Sequence, residues 1–213
     1  MKKTMLFMTL AMLCLVSCGP SIYKATEFNT KVETHKTVAL LPAAVSMRLR
    51  PNEMKKMSAE QLKDLEKSTG YDVQDKMYTW FLKRSQKLNY NVKIQDITET
   101  NALLKNAGID YEALSTTQSD QLAKILGVDA LLETKLRSDK PMSDGVALAA
   151  AFAIGFYGST NQVETTVSVK DGSSGDLIWK YNYQANGTMG SSSTKLVDAL
   201  MRNLSKKFPY AKK

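Results

Sequence analysis

The chain has 213 residues, 29 of them basic and 21 acidic, with a formal net charge of +8. Its cations are scattered in pairs such as Lys55-Lys56, Lys83-Arg84 and Lys206-Lys207, with no arginine patch interleaved with aromatics, which argues against a nucleic-acid partner. With one histidine, His35, and two cysteines, the sequence offers no His/Cys metal cluster, no Ser-His-Asp or Cys-His arrangement and no phosphate-cradling glycine loop.

Lys2 and Lys3 precede an apolar run over residues 5–16, and then comes Leu15-Val16-Ser17-Cys18. A charged start, a short apolar stretch and a small residue before the cut make a secretory signal. About twelve apolar residues are too few to span a bilayer, which needs roughly 20. The four residues ending at Cys18 have the form of a bacterial lipobox. That likeness implies cleavage before Cys18 and a diacylglycerol on its thiol. An ordinary secretory signal with a coincidental cysteine is the competing reading, and all four lipobox positions weigh against it. Cys14 is a poorer candidate, because bulky Leu13 precedes it. Loss of residues 1–17 removes Lys2 and Lys3 and lowers the charge to +6. It also leaves Cys18 as the last cysteine, so the domain is expected to fold on its core without a disulfide.

Residues 18–36 read as a lipidated tether, polar and without helical period, with His35 inside it. Gly19 follows the lipid site; by likeness to enterobacterial sorting, the lack of Asp there favours the outer membrane. The remaining 37–213 is expected as one domain. Residues 37–42 form a short β-rich run closed by Pro42, a buried strand. The stretch 47–56 is basic and irregular. Ser58 and Gln61 fit a capping box, predicting a short helix to Lys67 that Gly70 interrupts. A second helix over 71–88 places Val73, Met77, Trp80, Phe81, Arg84 and Leu88 at spacings of three and four.

Val92, Ile94 and Ile97 predict a strand, and Thr98 a cap for a helix ending at Gly108. A helix over 117–126 should close on Gly127 in the left-handed region. The next strand, 128–136, sets Ala130, Leu132, Thr134 and Leu136 on one face. Asp129 at its start is a candidate acid, though an acid there more often bonds a loop amide. Glu133 and Glu164 are the candidate carboxylate pair of a hydrolase, against which stands the reading as solvated surface acids. Strand 161–170 presents Val163, Thr165, Val167 and Val169, and Asp171-Gly172-Ser173-Ser174-Gly175-Asp176 turns the chain into strand 177–183. A last helix stacks Leu196, Leu200 and Leu204, with Val197, Met201 and Phe208 widening its apolar face, until Pro209 stops it.

One segment has no place in this pattern. Residues 145–158 are uncharged and rich in Gly and Ala, and too short to span a membrane as a helix. They read as a helix-like apolar insertion whose Phe152, Ile154, Phe156 and Tyr157 are candidate contacts for a protein partner, a second copy or lipid.

The run Val38-Ala39-Leu40-Leu41-Pro42, the helix-to-strand passage 122–132 and the hairpin from Asp171 to Trp179 occur in an order that resembles the periplasmic lipoprotein family of the curli secretion lipoprotein CsgG and the penicillin-binding-protein activator LpoB. Residues 140–145 and the C-terminal helix also resemble small lipoproteins of Bacteroidota. The resemblance implies an α/β (α+β) fold, one domain with a mixed β-sheet flanked by helices and ending in a C-terminal helix. It supplies no catalytic residue. The function expected is a lipid-anchored, non-catalytic binding or assembly module of the cell envelope, at the outer membrane and facing the periplasm. No enzyme activity, metal or cofactor is expected. The alternative is a subunit of an oligomeric secretion or pore complex of the curli type, although the membrane hairpins such a pore needs are not evident.

Overall fold

The computed structural model describes residues 21–48, 55, 57–139, 162–186 and 193–211. Strands β1 (Ile22–Lys24), β2 (Thr37–Leu40), β3 (Ala44–Arg48), β4 (Lys93–Ile94), β5 (Ala130–Asp139), β6 (Gln162–Asp171) and β7 (Leu177–Asn186) form one sheet. Helices α1 (Phe28–Thr34), α2 (Ala59–Leu88), α3 (Ile97–Asn106), α4 (Ser119–Leu126) and α5 (Ser193–Leu204) flank it. The spatial order is β1-β7-β6-β5-β2-β4, and β3 also pairs with β5. Pairs β2–β4, β2–β5 and β3–β5 are parallel; β5–β6, β6–β7 and β1–β7 are antiparallel. This is the mixed α/β domain expected, with its C-terminal helix.

Alternation decides the faces. Leu132, Leu136, Val163, Val167, Val169, Trp179 and Tyr181 point into the larger core, under α1, α2 and α5. Ala39, Leu41 and Leu131 point the other way, against Leu104 of α3 and Leu122, Ala123 and Leu126 of α4. Those two short helices lie over one end of that face. Beyond them it carries Lys135, Arg137 and Glu164, all exposed.

Pro42 has a consequence beyond ending β2. Val38 pairs with Ala130 and Ala44 with Lys135, so six steps along β2–β3 match five along β5. The extra residue sits at a proline that has no N–H to give a ladder. It flips the parity, so Val38 and Leu40 face the core in β2 while Val45 and Met47 do so in β3. Strand β3 is the product; its last two residues, Met47 and Arg48, begin the stretch 47–56 expected to be irregular.

Helix α2 is a single 30-residue helix and does not break at Gly70. Its start is the expected capping box: Ser58 Oγ accepts from Gln61 N (3.1 Å) and Gln61 Oε1 from Ser58 N (2.8 Å). Gly70 serves packing, because a Cβ there would stand 2.4 Å from the Ala43 carbonyl oxygen. Val73, Met77 and Phe81 are buried. Trp80 lies at the margin, where its indole N–H donates to Asp198 Oδ1 of α5 (2.7 Å) and Arg84 covers its ring.

Other boundaries moved for local reasons. Asp96, not Thr98, caps α3, accepting from the amides of Thr98 and Glu99, and Ile97 thus belongs to the helix rather than to β4. Helix α4 begins at Ser119 and ends, as expected, on Gly127 with φ 64°. Helix α5 ends at Leu204, before Pro209. The largest correction is at the start. The described part of the expected tether is folded: β1 pairs with β7, and Phe28 and Val32 of α1 are buried in the larger core. A seven-residue helix with two apolar residues is too short a signal for periodicity to reveal.

Candidate functional site

Where β2 gives way to β3, the chain leaves a cleft of about 460 Å³ between α2, the loop before α4 and the open face of β5 and β6. Tyr111 is its fixed wall. Its hydroxyl donates to the Ala43 carbonyl (2.7 Å) and accepts from Val45 N (3.0 Å), and burial pushes its pKa up to about 12. Glu66 reaches from α2 to accept from Met47 N (2.8 Å). Burial raises the Glu66 pKa, and the Met47 bond opposes that shift only in part. Tyr111 and Glu66 therefore satisfy the outward amides of β3, sealing an edge that would otherwise be open to another strand.

Glu133 also lines this cleft and accepts from Ser119 Oγ (2.9 Å). Its expected partner does not meet it. Glu133 stands opposite Ser168 and Glu164 opposite Arg137, four positions along the ladder. At about 3.3 Å per residue that is roughly 13 Å, beyond the spacing at which two carboxyl groups share a glycosidic bond. Asp129 takes the structural role favoured for it: Oδ2 accepts from the amides of Lys36 (2.9 Å) and Thr37 (2.8 Å), fixing the start of β2 beside β5.

A second polar cluster gathers where β6 ends and the chain turns into β7. His35, only 4% exposed, follows α1; Asp171 ends β6; Tyr210, 1% exposed, follows α5. His35 Nε2 bonds Asp171 Oδ1 (2.9 Å), and His35 Nδ1 meets the Tyr210 hydroxyl (2.7 Å). A carboxylate only accepts, so Nε2–H donates to Asp171, and Nδ1 pairs with the Tyr210 hydroxyl. Asp171 Oδ2 accepts from Lys31 Nζ (3.1 Å), Ser173 Oγ (2.5 Å), Ser174 N (2.9 Å) and Ser174 Oγ (2.9 Å). Burial alone would raise the Asp171 pKa, but the bonds from Ser173, His35, Lys31 and Ser174 outweigh it and hold the carboxyl well below its ordinary range. Burial, then the charges of Asp171 and Asp129, push the Tyr210 phenol far up. Both imidazole nitrogens are committed and both side chains are buried, so the triad ties the N-terminal helix, the hairpin turn and the C-terminus together as a latch.

Sequence reading placed His35 in a tether and saw Asp171 as a turn residue; Tyr210, Tyr111 and Glu66 gave no signal at all. Their roles rest on separations of 19 to 175 residues, which no local pattern encodes. Cys18 and the candidate contacts Phe152, Ile154, Phe156 and Tyr157 lie outside the described residues. Among the described residues no group of three or more His, Cys, Asp or Glu is arranged to hold a metal ion.

No family model matches the chain, and no curated protein matches it. Solved structures do. The lipoprotein GNA1162 from Neisseria meningitidis is similar at 13% identity and a TM-score of 0.42, covering 80% of this chain and 94% of that one. A PelC dodecamer from Paraburkholderia phytofirmans matches at 11% identity and a TM-score of 0.48, over 92% of this chain and 99% of its own. The LpoB C-terminal domain from Salmonella enterica matches at 9% identity and a TM-score of 0.36, over 75% and 93%. At these identities and scores no residue role transfers from them.

Proposed function

We propose that the chain is a lipid-anchored cell-envelope protein that works as a non-catalytic binding or assembly module, held at the outer membrane through Cys18 and facing the periplasm. The observation that carries this is the lipobox Leu15-Val16-Ser17-Cys18 behind a charged start and a short apolar run. Two or three acyl chains anchor stably where one does not. No helix among the described residues is long and apolar enough to cross a membrane, so the lipid supplies the attachment in this reading. The first described residues, Ser21 to Lys24, stand close behind Cys18 in sequence, and β1 is stitched to β7 by Asn182 N to the Ser21 carbonyl (3.1 Å). The domain is thus held within a few residues of its anchor rather than on a long leash.

The test is metabolic labelling with palmitate followed by detergent-phase partition. The parent labels and enters the detergent phase; Cys18→Ala loses the label and moves to the aqueous phase. A Cys18→Ala protein that still labels and pellets with membranes overturns the reading.

A further inference from the structure

The cleft beside Tyr111 holds polar groups whose partners can be followed one by one. Ser115 Oγ donates to the Glu112 carbonyl (3.0 Å), Thr117 Oγ1 to the Ala113 carbonyl (2.8 Å) and Ser119 Oγ to Glu133 (2.9 Å). The Tyr111 hydroxyl and Glu66 are engaged with β3, as described above. Lys63, Lys135 and Lys170 line the same cavity, and among the described residues none of these ammonium groups has a hydrogen-bond or ion-pair partner. The hydroxyls and inner carboxylates are committed; the cations are not. Leu41, Pro42 and Leu114 supply an apolar floor.

We propose that this cleft binds a small amphiphilic oxyanion, a carboxylate or phosphate on a compact apolar body, with Lys135 and Lys170 as the main donors and Lys63 at the rim. Lys135 projects from β5 and Lys170 from β6, on one sheet face, flanking Glu133 and Ser168 in the ladder. Rigid strands hold both stems, which limits the ordering cost of binding. Uncommitted ammonium groups form charge-assisted bonds to an oxyanion that no neutral ligand can match. The volume of about 460 Å³ falls among small-molecule sites. Glu133, between the lysines, opposes an anion, as do Glu66 and Glu112 in the same lining, and together they keep the affinity modest. This site is independent of the lipid anchor.

The experiment is isothermal titration calorimetry of the lipidated protein in a neutral detergent, with benzyl phosphate, phenylacetate and benzyl alcohol as probes. The two oxyanions bind, more weakly as salt is raised, and benzyl alcohol does not. Lys135→Gln with Lys170→Gln raises Kd about tenfold or more, while Glu133→Gln lowers it; the lysines are outside the core, so the melting temperature of the double variant is unchanged. Equal binding of benzyl alcohol, no binding of either oxyanion, or an affinity indifferent to the lysine substitutions overturns the proposal and leaves the anchoring reading intact, since acyl labelling reads that separately. Competition against benzyl phosphate then sorts the source. Displacement by dihexanoylphosphatidylglycerol but not by glycerol 3-phosphate assigns a lipid headgroup; the reverse assigns a soluble phosphate, and both sustain the site.

Discussion

Asp171 receives hydrogen bonds on both oxygens, from His35 on one and from Lys31, Ser173 and Ser174 on the other, so its charged form is stabilised only in the folded chain. Its folded pKa is therefore below the unfolded value of about 3.9. Between the two values the unfolded chain binds more protons than the folded one, so stability falls as pH falls. The contribution is fully present above about pH 4 and drains away as pH drops through the folded value. Asp171→Asn leaves His35 and the part-exposed Lys31 facing a neutral amide, and at neutral pH it is expected to cost on the order of 1–3 kcal/mol. Urea midpoints measured from pH 6 downwards check both points: the gap between parent and variant should be widest at the upper end and close in acid. A gap that stays constant or widens in acid would show that the charge of Asp171 is not what holds the latch.

Helix α2 shows how far a local rule extends. Glycine inside an exposed helix lowers stability by about 1 kcal/mol relative to alanine, so on sequence alone Gly70→Ala should stabilise. In the fold the added methyl would stand 2.4 Å from the Ala43 oxygen and 2.7 Å from the Tyr111 ring. The Ala43 amide also donates to the Gly70 carbonyl (3.1 Å), so helix and strand are already in contact there. Crowding wins, and Gly70→Ala is expected to lose about 1–3 kcal/mol and to disturb the Tyr111 wall. Chemical denaturation reads it directly; a variant as stable as the parent would mean the helix can move off β3 at no cost. The same contrast marks what the sequence could and could not tell. Strands β5, β6 and β7 were legible because Leu136, Val167 and Tyr181 alternate with polar neighbours, and the hairpin turn because its run of Asp, Gly and Ser tolerates positive φ, which Gly175 adopts at 77°. The latch and the cleft were not, since each is made by residues far apart in the chain whose local surroundings look like ordinary turns and loops.

For the whole molecule, the open question is what the domain touches. Strands β5 and β6 pair over ten positions, from Ala130 opposite Asp171 to Asp139 opposite Gln162. Their register is therefore set without the chain between Asp139 and Gln162, which holds the uncharged run 145–158. Fourteen residues without charge, including Phe152, Ile154, Phe156 and Tyr157, are more apolar surface than a monomer ordinarily leaves in water. Its cover is the domain itself, lipid, or another protein chain. At the other end of this ladder the turn from β6 into β7 is held by the Asp171 latch. We expect the run to be an interaction surface. Phe152→Ser with Phe156→Ser should then weaken self-association or partner capture, read by sedimentation in detergent and by cross-linking in intact cells, with the melting temperature nearly unchanged. A large ring that dissolves in the variant would favour the secretion-complex alternative over a monomeric assembly factor. A steep fall in melting temperature with assembly unaltered would put both phenylalanines in the core, where a buried Phe truncation typically costs about 3–5 kcal/mol, and would leave the run without a role in contact.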